Sequence, residues 1–125
     1  MAAIEPSDSA MAVEYEAFTA DATLDRNDSP KVCTNVGATG TVVLTLPQNA
    51  KGGEVFKFTR VAAQALRVDP GAAGAIYAAG IGSYAKQADG KYVQLGAVGD
   101  QLELVADGNG DWIATNEVGT ITVEV

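Results

Sequence analysis

The residue types that most often carry out chemistry in proteins are scarce in this sequence. It contains no His, and this absence removes the commonest general base, the commonest metal ligand and any Ser-His or Cys-His nucleophile pair. The single cysteine, Cys33, lies between Val32 and Thr34. Such a setting is typical of a packed, inert thiol, and a reactive thiol needs a cationic neighbour such as Lys31. We therefore expect a protein that is not an enzyme and has no catalytic residue.

Acidic residues are the remaining candidates for chemistry, because paired carboxylates can cleave a glycosidic bond when they meet in space. The candidates are Glu54, Asp69, Asp100 and Glu103. Nothing in their spacing indicates a pair, and most lie at predicted strand ends and turns, where acidic side chains are usually solvated. The Gly-rich segments 37–40 and 96–99 lack the Lys and the following helix of a phosphate-binding loop. No cofactor is expected.

The segment from Asp107 to Asp111 has the alternating oxygen ligands of a calcium-binding loop, with Asn109 between the two acids. It departs from the calcium motif twice, because its sixth position is Trp112 instead of Gly and its twelfth is Val118 instead of Glu. A β-hairpin loop uses the same Asp, Asn and Gly residues for backbone reasons alone. We favour the hairpin and predict no metal site.

Size and charge limit the classes of protein that fit. The chain has 125 residues, 8 of them basic and 16 acidic, which gives a net charge of −8. This length suits one domain, and the negative charge repels phosphate backbones and anionic lipids, so neither nucleic acid nor a membrane is expected as a partner. A single cysteine allows no intrachain disulfide. With neither a signal peptide nor a long apolar run, we expect a soluble protein made in the cytoplasm.

Short β-prone segments separated by Gly, Asn, Asp and Pro run from residue 41 to the end of the chain. Apolar and polar residues alternate in them, as they do along a strand with one buried face. The alternation is clearest in 41–46, 101–106 and 120–125, and the loop 107–110 joins two segments as a hairpin. No long segment has the periodicity of a helix. The sequence therefore predicts an all-β fold, an antiparallel β-sandwich or a barrel-like module of short strands.

The first 18 residues differ from the rest of the chain. They mix small, acidic and polar residues without a clear period, and Pro6 interrupts any early helix. We divide the chain into an extended N-terminal arm, residues 1–18, and a single β domain, residues 19–125. The arm is either a disordered terminus or a segment that becomes ordered on a neighbouring subunit, for which Tyr15 and Phe18 are the candidate anchors.

The order of turns and strands resembles a β-rich module found in virion proteins of tailed bacteriophages. The residues that carry the resemblance are Thr23-Leu24, Thr34 to Pro47, Ala65 to Pro70, Leu95 to Asp100, Asp111-Trp112 and Gly119-Thr120. It covers roughly residues 20–125. Similar modules occur as capsid decoration (cement) proteins and as parts of head or tail fibres, commonly as trimers.

The resemblance implies a non-enzymatic structural protein on the exterior of the capsid, a homotrimer that stabilises the phage head. Its partner would be the major capsid protein, contacted by the arm at a symmetry axis. A chain that begins with its own Met and lacks a repetitive shaft suits decoration better than a fibre. A trimer would also pair exposed strand edges and enclose a core that looks too thin for one chain.

Two arginines are predicted at the interface between subunits. Arg60 and Arg67 are expected at outward positions of adjacent strands, where they could pair with acids of a neighbouring subunit. Ordinary solvated charge is the other interpretation of both residues.

The alternative function is a head- or tail-fibre module that binds a glycan or receptor on the host surface. Its predicted stacking surface consists of Trp112, Tyr77, Tyr84 and Tyr92, although a single Trp in a strand more often closes one end of a core. A third class, a glycan-cleaving tailspike fragment, is disfavoured by the short chain and the absent His.

Overall fold

The computed structural model of the chain describes residues 13–78 and 85–124. Strands account for nearly all of its regular structure. They are β1 (Glu14–Ala17), β2 (Ala22–Thr23), β3 (Lys31–Thr34), β4 (Val42–Thr45), β5 (Val55–Thr59), β6 (Leu66–Asp69), β7 (Ile76–Ala78), β8 (Ala85–Lys86), β9 (Val93–Leu95), β10 (Gln101–Ala106), β11 (Trp112–Val118) and β12 (Ile121–Val123). One turn of 3-10 helix, Arg26–Asp28, connects β2 to β3. The predicted all-β fold is confirmed.

The strands form two sheets that pack face to face. One has seven strands in the order β1-β3-β5-β10-β11-β7-β8, and the other has five in the order β12-β9-β6-β4-β2. The predicted hairpin is present, since β10 and β11 pair antiparallel across the loop 107–110. The prediction of an antiparallel sandwich was wrong in one respect, because both sheets are mixed: β1, β3 and β5 run parallel to one another, as do β2, β4 and β6.

The parallel pairs arise because the first six strands alternate between the two sheets. After each strand the chain crosses to the opposite sheet, and the following strand returns to lie beside the strand two positions earlier in the sequence. The chain therefore winds as three stacked coils. Parallel neighbours need such a crossover, and here a strand of the other sheet supplies it. The strands from β9 onward close one side of this coil with antiparallel pairs. On the other side, β1 and β2 are the edge strands of the two sheets.

The core lies between the inner faces of the sheets. The predicted inward residues Val42, Leu44 and Leu46 are fully buried. Phe56 contacts the ring of Trp112, with 5.9 Å between the ring centroids. The other large side chains that are fully buried include Phe58, Leu66, Ile76, Leu95, Leu102, Leu104 and Val68. One chain thus encloses its own Leu, Val and Phe faces, and the expectation of a core too thin for a single chain was wrong.

The N-terminal boundary of the β domain differs from the predicted one. Residues Glu14–Ala17 form β1 within the seven-stranded sheet, and Phe18 is buried in the core. Ordered strand structure therefore begins inside the segment assigned to the arm. Residues 1–12 of the predicted arm lie outside the described residues.

A buried amide ties two successive coils together at a corner. The side chain of Asn35, just after β3, accepts hydrogen bonds from the backbone N–H groups of Val61 (2.8 Å) and Ala62 (2.9 Å) through Oδ1. Its Nδ2 donates to the carbonyl of Gln64 at 2.9 Å. Because Asn35 is completely buried, no water is available to replace these bonds.

We expect Asn35→Ala to lower the free energy of unfolding by about 3 kcal/mol, since it removes three hydrogen bonds that a completely buried side chain makes to backbone groups. Urea unfolding followed by circular dichroism measures the loss. The control is Asn49→Ala, at an exposed position, which should change stability by less than about 0.5 kcal/mol. Equal effects of the two substitutions would show that the corner does not depend on this amide.

Candidate functional site

The outer face of the seven-stranded sheet carries an unusual set of side chains for a surface exposed to water. Strand register places Val55, Val105, Ile113 and Tyr77 side by side on β5, β10, β11 and β7. All four are partly buried. We call these four residues the apolar row. At its end, Lys86 lies with its Nζ 6.0 Å from the centroid of the Tyr77 ring.

A second row crosses the same face, two residues away on β5 and β10 and three residues away on β11. Register aligns Tyr15, Val32, Lys57, Glu103 and Asn116 on β1, β3, β5, β10 and β11. We call these five residues the polar row.

The middle of the polar row forms an open groove of about 370 Å³. It is lined by Val32, Lys57, Phe58, Thr59, Gln101, Leu102, Glu103 and Asn116. Ligand sites in proteins commonly have volumes of this order. A concave floor that combines polar side chains with Val32, Phe58 and Leu102 makes this groove a candidate for binding a ligand.

A β-bulge shapes the groove. The register between β10 and β11 shifts between Glu103 and Leu104, which leaves Thr115 as the extra residue on β11. Thr115 donates its hydroxyl hydrogen bond to Glu103 Oε1 at 2.7 Å, while Lys57 Nζ lies 3.5 Å from Glu103 Oε2. The bulge thereby changes the direction of the end of β11. The Thr115 hydroxyl and the Lys57 ammonium together hold the Glu103 carboxylate at the centre of the polar row.

Tyr15 lies at the β1 end of the polar row with 59% of its surface exposed. Its hydroxyl is 2.9 Å from Thr34 Oγ1 on the neighbouring strand. Since this bond ties the far end of the side chain to β3, it restricts the motion of the exposed ring. The ring of Tyr15 is thus an exposed aromatic surface with restricted motion beside the groove. Of the four predicted interface residues, Tyr15 alone belongs to the candidate site.

A buried lysine attaches β1, and therefore Tyr15, to the domain. Lys31 Nζ lies 2.5 Å from Glu16 Oε1 and 3.6 Å from Asp28 Oδ2. Burial opposes the charge, but the hydrogen bond to Glu16 and the charges of Asp28 and Glu16 outweigh it, so the pKa of Lys31 is raised above its ordinary value. The lysine therefore stays charged, and its attraction to both carboxylates holds the edge strand.

The other predicted interface residues make contacts within their own chain. Phe18 packs in the core, below the ammonium group of Lys31, so it is not available to anchor the arm on a neighbour. Arg60 donates to the carbonyls of Ala62, Ala63 and Leu95. These bonds show that Arg60 stabilises a loop after β5 within its own chain.

Arg67 lies on the outer face of the five-stranded sheet. It follows Leu66 on β6, whereas Arg60 follows β5 of the other sheet, so the expectation of adjacent strands was wrong. Its Nε donates to Gln94 Oε1 at 2.9 Å, and its guanidinium lies 4.6 Å from the centroid of the Tyr92 ring. Arg67 is half-buried and packs with its own strand neighbours.

The aromatic surface predicted for the fibre alternative is not formed by the described residues. Trp112 is buried and closes one end of the core, as the other interpretation of this residue required. Tyr92 is covered by Arg67 and belongs to the sheet opposite Tyr77. Tyr84 lies outside the described residues.

The acidic candidates form no catalytic pair: Glu103 contacts Thr115 and Lys57, Glu54 Oε1 is buried without a hydrogen-bond partner among the described residues, and the aspartates accept from backbone groups. Asp107 Oδ1 accepts from the N–H groups of Asn109 (2.7 Å) and Asp111 (3.1 Å), which is the role that a hairpin loop gives it. Asp69 accepts from a neighbouring turn, and Asp100 joins two loops by accepting from Ala97 and Thr120. Among residues 13–78 and 85–124, no group of three or more His, Cys, Asp and Glu side chains is placed to hold a metal ion.

Sequence reasoning missed the two rows and the corner residues. A period of two indicates which residues of one strand share a face, but the rows depend on which strands are neighbours and in which register. Asn35 had a local signal, since it lies between the strand residue Thr34 and the turn at Gly37. Its partners around residues 61–64 are on the next coil, which only the winding of the chain brings near.

No known family model matches the chain, and no curated protein matches it. In the described part of the chain, no helix has both the length and the apolar character needed to cross a membrane.

Cys33 is expected to resist chemical modification in the folded protein. It is completely buried, and burial raises the pKa of its thiol to about 12, a shift that the nearby charge of Lys31 opposes only in part. A thiol reagent at pH 8 should modify Cys33 only after denaturation, because both access and the reactive thiolate are lacking. Rapid modification of the native protein, followed by mass spectrometry, would contradict this expectation.

The same shift predicts how stability depends on pH. The folded pKa lies above the unfolded value of 9.0, so the unfolded state loses its proton first. The contribution of the neutral thiol to stability is complete below pH 9.0 and falls as pH rises from 9.0 towards about 12. The stability advantage of the wild type over Cys33→Ala should shrink in that window, as measured by urea unfolding.

Proposed function

We propose that this protein is a non-enzymatic structural protein of a tailed-bacteriophage virion, a decoration protein that stabilises the capsid as a homotrimer on its exterior. The resemblance of residues 20–125 to phage β modules supports the class of protein. The observation that carries self-association is the apolar row.

The apolar row is difficult to explain in an isolated sandwich. A sheet face that meets water normally presents polar side chains opposite the buried ones. Here Val55, Val105, Ile113 and Tyr77 form a continuous apolar line across four strands, which extends over three strand spacings or about 14 Å. A contiguous apolar surface of this kind is typical of a contact with another protein.

Copies of the same chain suit this surface. The protein is strongly acidic overall, but the middle of the apolar row is uncharged, so copies can meet there without placing like charges in contact. Three rows that converge on a threefold axis would bury twelve apolar side chains in a closed assembly with cyclic symmetry. Arg60 and Arg67 are not needed for this contact, since both have partners within the chain.

Attachment to the capsid falls to the N-terminal segment in this proposal. β1, which follows this segment in the sequence, is an edge strand of the seven-stranded sheet. We assign the contact with the major capsid protein to this segment, and the symmetry axis of the capsid would match the threefold axis of the trimer.

The proposal assigns no catalytic step. Cys33 is buried with a raised thiol pKa, and Asp69, Asp100 and Asp107 accept hydrogen bonds from backbone groups. The side chains with reactive groups thus support the fold, which suits a structural role.

The apolar row gives a direct test of the trimer. Ile113→Lys places a charge in the middle of the row, and burying it without a partner costs about 3–5 kcal/mol. The midpoint of trimer dissociation should rise at least about a hundredfold in concentration. Size-exclusion chromatography with light scattering measures the change in mass.

The matched control is Thr45→Lys, which adds the same charge at a half-buried position of β4 in the opposite sheet. It should leave the trimer intact. A monomeric wild type at micromolar concentration, or equal dissociation of both variants, would overturn the role of the apolar row.

Capsid binding tests the function separately. The purified protein is mixed with expanded capsids that lack it, and the melting temperature of the shells is measured by calorimetry. We expect stoichiometric binding and a higher shell melting temperature, and removal of residues 1–12 should abolish both while leaving the trimer. Failure of the full chain to bind capsids from a host-matched phage would reject the decoration role.

A further inference from the structure

The groove in the polar row is lined by hydrogen-bonding groups that the fold does not use. The side-chain amides of Gln101 and Asn116 line the groove, and neither has a hydrogen-bond partner among the described residues. Asn116 pairs with Glu103, which pairs with Lys57, and Gln101 pairs with Thr59 in the adjacent row. The groove thus offers amide and ammonium donors together with amide, hydroxyl and carboxylate acceptors in two neighbouring rows.

This mixture matches the hydroxyl groups of a sugar. A sugar hydroxyl both donates and accepts, and an amide that presents N–H and C=O together can bind two neighbouring hydroxyls at once. Glu103 is already held by Thr115 and Lys57, so it can accept from a ligand without reorganising. Pre-organisation of this kind lowers the entropic cost of binding.

Tyr15 supplies the second element of a saccharide site. Its ring is largely exposed and is held by the bond between its hydroxyl and Thr34. The C–H face of a pyranose ring can stack on such an aromatic surface. Tyr15 lies two strands from Lys57, or about 10 Å, so one sugar on the ring and others in the groove can be bound together.

The dimensions and charge of the row define the ligand. From Tyr15 to Asn116 there are four strand spacings, about 19 Å in all, which suits a short oligosaccharide and exceeds a single sugar. The ion pair between Lys57 and Glu103 leaves the groove without net charge, while the protein as a whole carries −8. Acidic saccharides are therefore disfavoured.

We infer that the polar row and its groove bind a short neutral oligosaccharide, with Tyr15 as the stacking surface and Asn116, Glu103 and the adjacent Gln101 as the hydrogen-bonding groups. This site differs from the surface of Trp112, Tyr77, Tyr84 and Tyr92 expected for a fibre tip. It requires neither a fibre nor capsid binding, and it gives the decorated surface a means of adhering to neutral glycans.

The test uses the full chain and a panel of short neutral oligosaccharides of glucose, galactose, mannose and N-acetylhexosamines. An array identifies the best member, and titration calorimetry with that sugar measures its affinity. We expect a Kd tighter than about 1 mM for the wild type. Tyr15→Ala and Asn116→Ala should each weaken binding about tenfold, because each removes one stacking or bidentate contact.

Asn49→Ala is the matched control for Asn116→Ala, since it removes an exposed amide outside the groove; it should bind as the wild type does. Melting curves of every variant show whether the fold is retained. If Tyr15→Ala disturbs β1, Asn116→Ala still tests the groove, because it leaves β1 unchanged. No binding across the panel, tighter binding of acidic sugars, or equal affinity in all variants would overturn the proposal. The Ile113→Lys monomer should still bind sugar, which separates this site from the trimer.

Discussion

The whole structure depends on the apolar contact between two sheets that the chain builds in alternation. Because the first six strands cross from one sheet to the other, neither sheet can form without its partner, and each coil adds one strand to both. The side chains of Leu44 and Leu66 face those of Phe56 and Phe58 from the first coils onward, and Trp112 completes the core from the closing hairpin. The corners between sheets must then satisfy backbone groups that no strand neighbour reaches, and Asn35 does so where two coils meet.

This construction explains how the outer face of the seven-stranded sheet assembles the candidate site. Its strands come from distant parts of the sequence, β1, β3 and β5 from the coil and β10 and β11 from the closing hairpin. Register brings one outward residue of each into a line, so a row collects side chains separated by up to 101 positions, from Tyr15 to Asn116. The core face of the same strands is fully occupied by packing, and only the outward residues are free to differ in chemistry.

The sequence predicted the parts of this structure that depend on local pattern. Alternation identified the buried faces of 41–46 and 101–106, the Asp107 loop was recognised as a hairpin, and Cys33 as a packed thiol. Strand order and direction depend on crossovers, and alternation carries no information about them, so the parallel pairs were missed. For the same reason Arg60 and Arg67 were placed on adjacent strands although they belong to opposite sheets. Phe18 was assigned to the arm because residues 1–18 show no periodic pattern of apolar residues. An edge strand such as β1 needs no such pattern, since backbone pairing with β3 and the buried side chain of Phe18 hold it in place.

The two rows lie on one face and both cross β5, β10 and β11. They are two residues apart on β5 and β10, a separation of about 7 Å, and three residues apart on β11 because of the bulge. The apolar row is centred towards β11 and β7, while the polar row begins at β1. Copies that meet over the apolar row would therefore leave the β1 end of the polar row at the margin of the contact. Lys31 is important at that margin, because its pairs with Glu16 and Asp28 fix the edge strand that carries Tyr15. In the proposed trimer the apolar row would hold the subunits together, while β1 would carry Tyr15 at the margin of their contact.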